Sequence, residues 1–183
     1  MTQPRVRKPP PPFDSEALER AALRYVERFQ TTRARLVRHL AAKLRLRGWE
    51  GAAPPDLEGL ADRLAARGFI DEAAYAEARA RGMKARGLGP RRIAARLRAD
   101  GVAVAEPPGL DAGEAAEHPD EAERLALAFA RRRRLGPFGP PAADPRARAR
   151  QMAAMLRAGH APDLAVRILA LPAEEAERLL GDS

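Results

Sequence analysis

The side chains with the capacity for acid–base or metal chemistry are few. His39, His118 and His160 lie in separate parts of the 183-residue chain, and none has a second histidine at ligand spacing. There is no cysteine, which removes thiolate metal sites, thiol nucleophiles and disulfides. The acidic pairs Asp71–Glu72 and Glu174–Glu175 each fall at the expected first turn of a helix, where carboxylates offset the exposed N–H dipoles. GLGP at 87–90 has neither the preceding strand nor the lysine of a phosphate-binding loop. No catalytic constellation follows, and the chain is read as a non-enzyme with no cofactor and no metal.

Basic residues are the more prominent chemistry. Against 25 Asp and Glu stand 33 Lys and Arg, a formal net charge of +8, with lysine only at Lys8, Lys43 and Lys84. An excess of this sign fits anionic partners. A chain so rich in Ala, Arg, Gly and Pro also follows from a GC-rich genome, so the total alone establishes no surface. The distribution carries more. Residues 71–102 hold eight bases against four acids, 14–50 hold nine against five, and 103–123 hold none against seven.

On a helix starting at Pro90, at about 100° per residue, Ile93 and Leu97 share one stripe. Arg92 and Arg96 share the next, and Arg91 and Arg98 the one after, with Asp100 the only acid. Solvated helices commonly mix signs at i,i+4; this one does not. On the preceding helix Tyr75, Arg79 and Arg86 fall on one narrow stripe. Arg131, Arg132, Arg133 and Arg134 form a further group, for which the negative end of a helix is a sufficient local reason. The candidate partner-binding residues are therefore Arg79, Arg86, Arg91, Arg92, Arg96, Arg98 and Arg131 to Arg134.

The elements that position these residues are helices. Apolar residues after Phe13 recur at helical spacing, no stretch alternates like a strand, and aromatic and β-branched residues are sparse. The first helix spans 14–29, capped by Asp14 or Ser15, with Leu18, Ala22, Tyr25 and Phe29 as its stripe. A second runs from Thr32 to Gly48, with Trp49 folding back onto its last turn. A third carries Leu57, Leu60 and Leu64. Ile70, the Asp71 cap and Tyr75 have the spacing of a hydrophobic staple opening a fourth. Later helices start at Pro90, surround Leu125 and Phe129, span about 145–157, and start near Pro162. The Pro107–Pro108 pair interrupts the acidic stretch between.

Residues 1–13, MTQPRVRKPPPPF, read as a disordered basic, proline-rich tail with no apolar signal core. No apolar run approaches the ~20 residues of a membrane span, and a cytoplasmic protein without membrane contact is the simplest reading. Self-comparison adds an internal period. Tyr25, Tyr75 and Phe129 recur mid-helix among alanines, and the following helices end alike in LRLRGW, LRADGV and LRAGHA. The fold expected is all-α, an extended, curved array of three tandem three-helix repeats: 14–69, 70–118 and 119–183. The third helix of the second copy is damaged. A unit this small buries too little to stand alone, so stacked copies share a core.

The segments AALRYVERFQTTRARLVRHL, GFIDEAAYAEARARGMKARGLGPRRIAARLRADGV, LALAFARRRRLGPF and QMAAMLRAGHAPDLAVRIL together resemble the RecX family of bacterial regulators of the RecA recombinase. The resemblance runs from about residue 15 to 171. It implies a monomer lodged in the helical groove of the RecA filament, meeting single-stranded DNA mainly through that filament. It further implies that the ATPase, strand-exchange and coprotease activities of RecA are lowered, and that the regulator itself performs no catalysis. The alternative is a freestanding nucleic-acid-binding helical protein without RecA specificity.

Overall fold

The computed structural model describes residues 11–103, 119–142 and 144–181. Among them all regular structure is helical, apart from one isolated bridge between Phe13 and Trp49. They form two compact units, divided between Tyr75 and Ala76. The expected tail over 1–10 and the acidic stretch over 104–118 lie outside the described residues.

In the first unit, α1 (Ser15–Arg28) is capped by the Asp14 carboxylate, which accepts from the Ala17 amide at 2.6 Å. Thr32 does the same for Arg35 at the start of α2 (Arg33–Arg47), and Asp56 for Gly59 at the start of α3 (Leu57–Ala66). Each cap satisfies an amide that has no partner within its helix. Leu18, Leu36, Leu40, Leu60, Leu64 and Ile70 meet in the core. Phe29 leaves the expected stripe: it is the extended residue closing α1, 48% exposed, and Val26 takes the buried position.

Trp49 packs against this core by a route the spacing did not show. Phe13 donates to the Gly48 carbonyl at 3.0 Å and accepts from the Glu50 amide at 2.9 Å. Its ring is buried beneath the Arg47 guanidinium, 3.9 Å from the ring centre. Phe13, placed by sequence at the end of the tail, therefore belongs to the first core.

Ile70 and Tyr75 flank the first turn of the next helix at staple spacing. Both are buried, and the Asp71 carboxylate accepts from Ala74 at 2.8 Å to open α4 (Glu72–Lys84). Glu72 accepts from the Arg33 backbone amide at 3.0 Å and from its guanidinium, so the first turn of α4 is tied to the first repeat. The division between compact units thus falls inside α4, five residues past Ile70 and not at the repeat boundary.

The second unit continues through α5 (Pro90–Ala99), α6 (Pro119–Arg133), a 3-10 turn at Gly136–Phe138, α7 (Pro145–Arg157), α8 (Pro162–Ala170) and α9 (Ala173–Gly181). The single last helix expected from Pro162 is two, because Pro172 lacks the amide needed to continue α8. Leu127, Phe129, Met155 and Ile168 centre one core cluster, and Met83, Ile93 and Leu97 another, with Leu88 of GLGP packed against both. α6 closes on Arg134, a non-glycine residue at φ 53°, while the Leu135 amide reaches back to the Ala130 carbonyl at 2.9 Å. This is the six-to-one closure usually built on glycine.

Candidate binding surface

The second helix of every repeat is free of carboxylates. α2 reads RARLVRHLAAKLRLR, α5 reads PRRIAARLRA and α7 reads PRARARQMAAMLR. Sequence inspection singled out α5 and missed the other two, although the same absence of acids is visible in both strings. Arg146, Arg148, Arg150 and Arg157 of α7 are exposed.

The α5 and α7 helices are joined end to end by backbone. The Gly89 amide, preceding α5, donates to the Ala158 carbonyl closing α7 at 2.9 Å. A Cβ at Gly89 would overlap the Gly159 carbonyl, and one at Gly159 would overlap the Arg92 amide. Gly159 is also held at φ 92°, a conformation that favours glycine. The N-terminus of one basic helix thus abuts the C-terminus of another, a favourable dipole alignment. It brings Arg92 of α5 against Gly159, two residues past Arg157 of α7. GLGP, considered as a phosphate loop, is instead this joint: Gly89 docks on α7, and the Gly87 carbonyl contacts His160.

The ten arginines chosen from sequence do not form one set. Arg79 and Arg96 converge on Asp100, with their Nε atoms 3.6 and 3.4 Å from its Oδ2. Asp100 is only 2% exposed. Folding holds both to a buried acid, while their side chains stay 35% and 48% exposed. Arg86 lies beyond the end of α4, with its Nε donating to the Gly82 carbonyl at 2.9 Å, so it does not extend the Tyr75–Arg79 stripe. Arg92 and Arg98 project from α5 as exposed side chains, and Arg91 is half-buried beside them.

Among the arginines closing α6, Arg131 stands 3.9 Å from Glu177, Arg132 donates to the Ala85 carbonyl at 3.4 Å, and Arg133 lies 6.0 Å from the Phe129 ring centre. Arg134 turns the chain. All four are exposed, and the first three complement the helix end.

The histidines take packing roles. His160 is buried, with Nε2 3.1 Å from the Gly87 carbonyl and its ring 5.5 Å from that of Phe129. A carbonyl only accepts, so Nε2 carries the proton, and Nδ1 has no hydrogen bond among the described residues. Burial holds this imidazole below its ordinary pKa, against the opposing effect of the Gly87 bond. His39 stacks on Tyr25 with ring centres 4.0 Å apart and is also lowered, by burial and then by the Lys43 charge. His118 lies outside the described residues. Among the described residues no cluster of three His, Cys, Asp or Glu could hold a metal ion, and no helix is long and apolar enough to cross a membrane.

Comparison with known proteins places this architecture. Residues 71–105 match the family model described as RecX, second three-helix domain. They cover α4, the GLGP joint and α5. The chain is 34% identical to Regulatory protein RecX of Myxococcus xanthus strain DK1622 over 83% of each chain. It is 40% identical to Regulatory protein RecX of Halorhodospira halophila, over 88% of this chain and 91% of that protein. A third Regulatory protein RecX, from Agrobacterium fabrum, is 30% identical over 62% of this chain and 59% of its own. No solved structure matches the chain. Identity extending over most of both chains, with the second-domain match falling on α4 and α5, means that this protein belongs to the RecX family of regulatory proteins.

Proposed function

We propose that this protein binds the RecA–single-stranded DNA filament, lodges as a monomer in its helical groove, and lowers the ATPase, strand-exchange and coprotease activities of RecA in the cytoplasm. The observation that carries the reading is the carboxylate-free second helix in all three repeats. A series of such helices meets the repeating phosphates and acidic side chains of a filament groove through the planar, multiply donating guanidinium. Family membership supplies the choice of RecA over other anionic polymers. The protein acts by occupying the groove, and its residues hold neighbouring recombinase subunits rather than transform a substrate.

Within this reading Arg92, Arg98 and Arg157, at and beyond the α5–α7 joint, make the principal contacts. Arg91, Arg146, Arg148, Arg150 and the arginines closing α6 widen the basic surface. Arg79 acts indirectly, by tying α4 to the end of α5 through Asp100, and Arg96 pairs with the same acid from within α5.

The decisive experiment measures DNA-dependent ATP hydrolysis by RecA with this protein added at substoichiometric amounts. Inhibition well below one protein per recombinase subunit is the expected result. Unchanged hydrolysis while filaments form would refute the proposal. Inhibition that appears only once free DNA is saturated would assign the effect to competition for DNA.

A further inference from the structure

The joint between α5 and α7 closes around one imidazole. Gly87, Gly89 and Gly159 are buried there, and each lies too near backbone to carry a side chain. A Cβ at Gly87 would overlap Phe129 of α6, one at Gly89 would overlap Gly159, and one at Gly159 would overlap Arg92 of α5. His160 follows directly, and its amide donates to the Met155 carbonyl of α7 at 3.2 Å. Its Nε2 donates to the Gly87 carbonyl at 3.1 Å, and its ring lies tilted at 51° against Phe129. One buried side chain therefore links the segment before α5, the Phe129 turn of α6 and the end of α7.

The second ring nitrogen has no such role. Nδ1 is buried and has no hydrogen bond among the described residues. A neutral imidazole carries one N–H, already given to Gly87. A proton added at Nδ1 would create a buried donor with no acceptor, together with a buried positive charge. The charged groups around the joint do not relieve it. Arg86 precedes Gly87, Arg91 and Arg92 open α5, Arg132 and Arg133 follow Phe129, and Arg157 ends α7; all are cations. On α6, Glu121 and Glu123 are engaged by Lys84 and Arg167. Asp163 is exposed in the first turn of α8. None of these charges acts on the ring: burial disfavours its charged form, and only the Gly87 bond opposes that.

We propose that His160 is an acid-operated latch: with a proton on Nε2 alone it holds α5 against α7, and uptake of a second proton from water at Nδ1 releases the joint between Gly89 and Ala158. Release frees α5 from α7 without altering any arginine. Under the filament reading this makes the basic surface sensitive to acid, but the latch itself does not rest on that reading.

An imidazole reached by water takes up its proton near pH ~6.5. The closed joint resists that uptake, so falling pH draws the equilibrium toward the open joint. From about pH 7.5 to about pH 5.5 the open fraction should rise about tenfold.

Amide hydrogen exchange of the full chain, followed by NMR and corrected for intrinsic rates, measures that fraction. The Gly89 amide, bonded to Ala158 at 2.9 Å, reports the joint. The Leu127 amide, in the buried core of α6, reports unfolding of the whole unit. Gly89 should be less protected than Leu127, and its exchange should ignore low urea, since opening the joint exposes little surface. Its protection should fall about tenfold over this pH interval in the parent. In His160→Gln the side-chain amide still offers Gly87 a donor and cannot titrate, so Gly89 protection should stay level; circular dichroism verifies the fold.

Equal protection and equal urea dependence at Gly89 and Leu127 would mean that the joint opens only when the unit unfolds, and would overturn the latch. That comparison needs no variant. Unchanged Gly89 protection in the parent would overturn it as well, and so would a fall that persists in His160→Gln. RecA is absent throughout, so the result is independent of the filament reading.

Discussion

Replacing Asp100 by asparagine separates arginines held by the fold from arginines available to a partner. The Asp100 side chain is 3% exposed, and its Oδ2 receives Arg79 and Arg96 at 3.6 and 3.4 Å. It also closes α5, where the helix dipole disfavours a carboxylate. The two guanidinium groups contribute to offsetting both burial and dipole. Removing one member of a fully buried ion pair costs about 3–5 kcal/mol. Here the arginine side chains are 35% and 48% exposed, so water screens the pair and resolvates the arginines once the acid is gone. That reduces the loss to about 1–2 kcal/mol, and relief of the dipole conflict returns about 0.5.

Asp100→Asn is thus expected to lower the unfolding free energy by about 1 kcal/mol, or the Tm by about 4–8 °C for a compact unit of about 100 residues. Urea titration followed by far-ultraviolet circular dichroism measures it. A double-mutant cycle with Arg96→Gln isolates the pairwise part. Full stability of Asp100→Asn, or strict additivity in the cycle, would show that Arg96 is not tied to the acid and return it to the partner surface. The same geometry means that Arg96→Glu sets a second carboxylate beside a buried one. Weakened partner binding by that variant would then reflect instability, and Arg92→Glu, at an exposed side chain, is the cleaner probe.

Burial lowers the His160 pKa, so an unfolded chain takes up a proton near pH ~6.5 that the folded chain resists. The contribution to stability is complete above that pH and is lost as pH falls below it. His39 shifts the same way. His160→Gln should therefore reduce, without abolishing, the fall in urea midpoint between about pH 7.5 and about pH 5.5; an unaltered slope would refute the assignment. Gly159→Ala should cost about 2–4 kcal/mol, since it combines a left-handed backbone with overlap onto Arg92, and thermal unfolding measures the loss. Arg134→Gly should raise stability by about 1 kcal/mol, because φ 53° suits glycine; a lower urea midpoint would show that the arginine side chain does more than turn the chain.

Local signals in the sequence were sufficient for most of the helices. Asp14, Thr32 and Asp71 cap where their side chains allow, Pro90 begins a helix because its missing amide is not needed there, and Ile70 and Tyr75 are buried on either side of the Asp71 cap. Residues that depend on contacts far along the chain were less legible. Phe13 read as tail because its partners, Gly48 and Glu50, are reached only through a backbone pairing. Phe29 read as core because helical spacing continues past the point where α1 ends. The ion pairs of Arg79 and Arg96 were not legible because a helical wheel records which residues share a face and omits the acid that approaches it.

The helical spacing of apolar residues, the caps and the lack of strand-forming segments determine by themselves that this chain is helical and repeated, since these are short-range effects. The acid-free second helices are likewise present in the bare string. Only the tertiary structure decided which basic groups are held by contacts within the chain. An ion pair such as Arg79–Asp100, or a joint such as Gly89 on Ala158, depends on distance in space. Coulomb energy and hydrogen bonding fall off over a few ångströms, and spacing along the sequence does not report that distance.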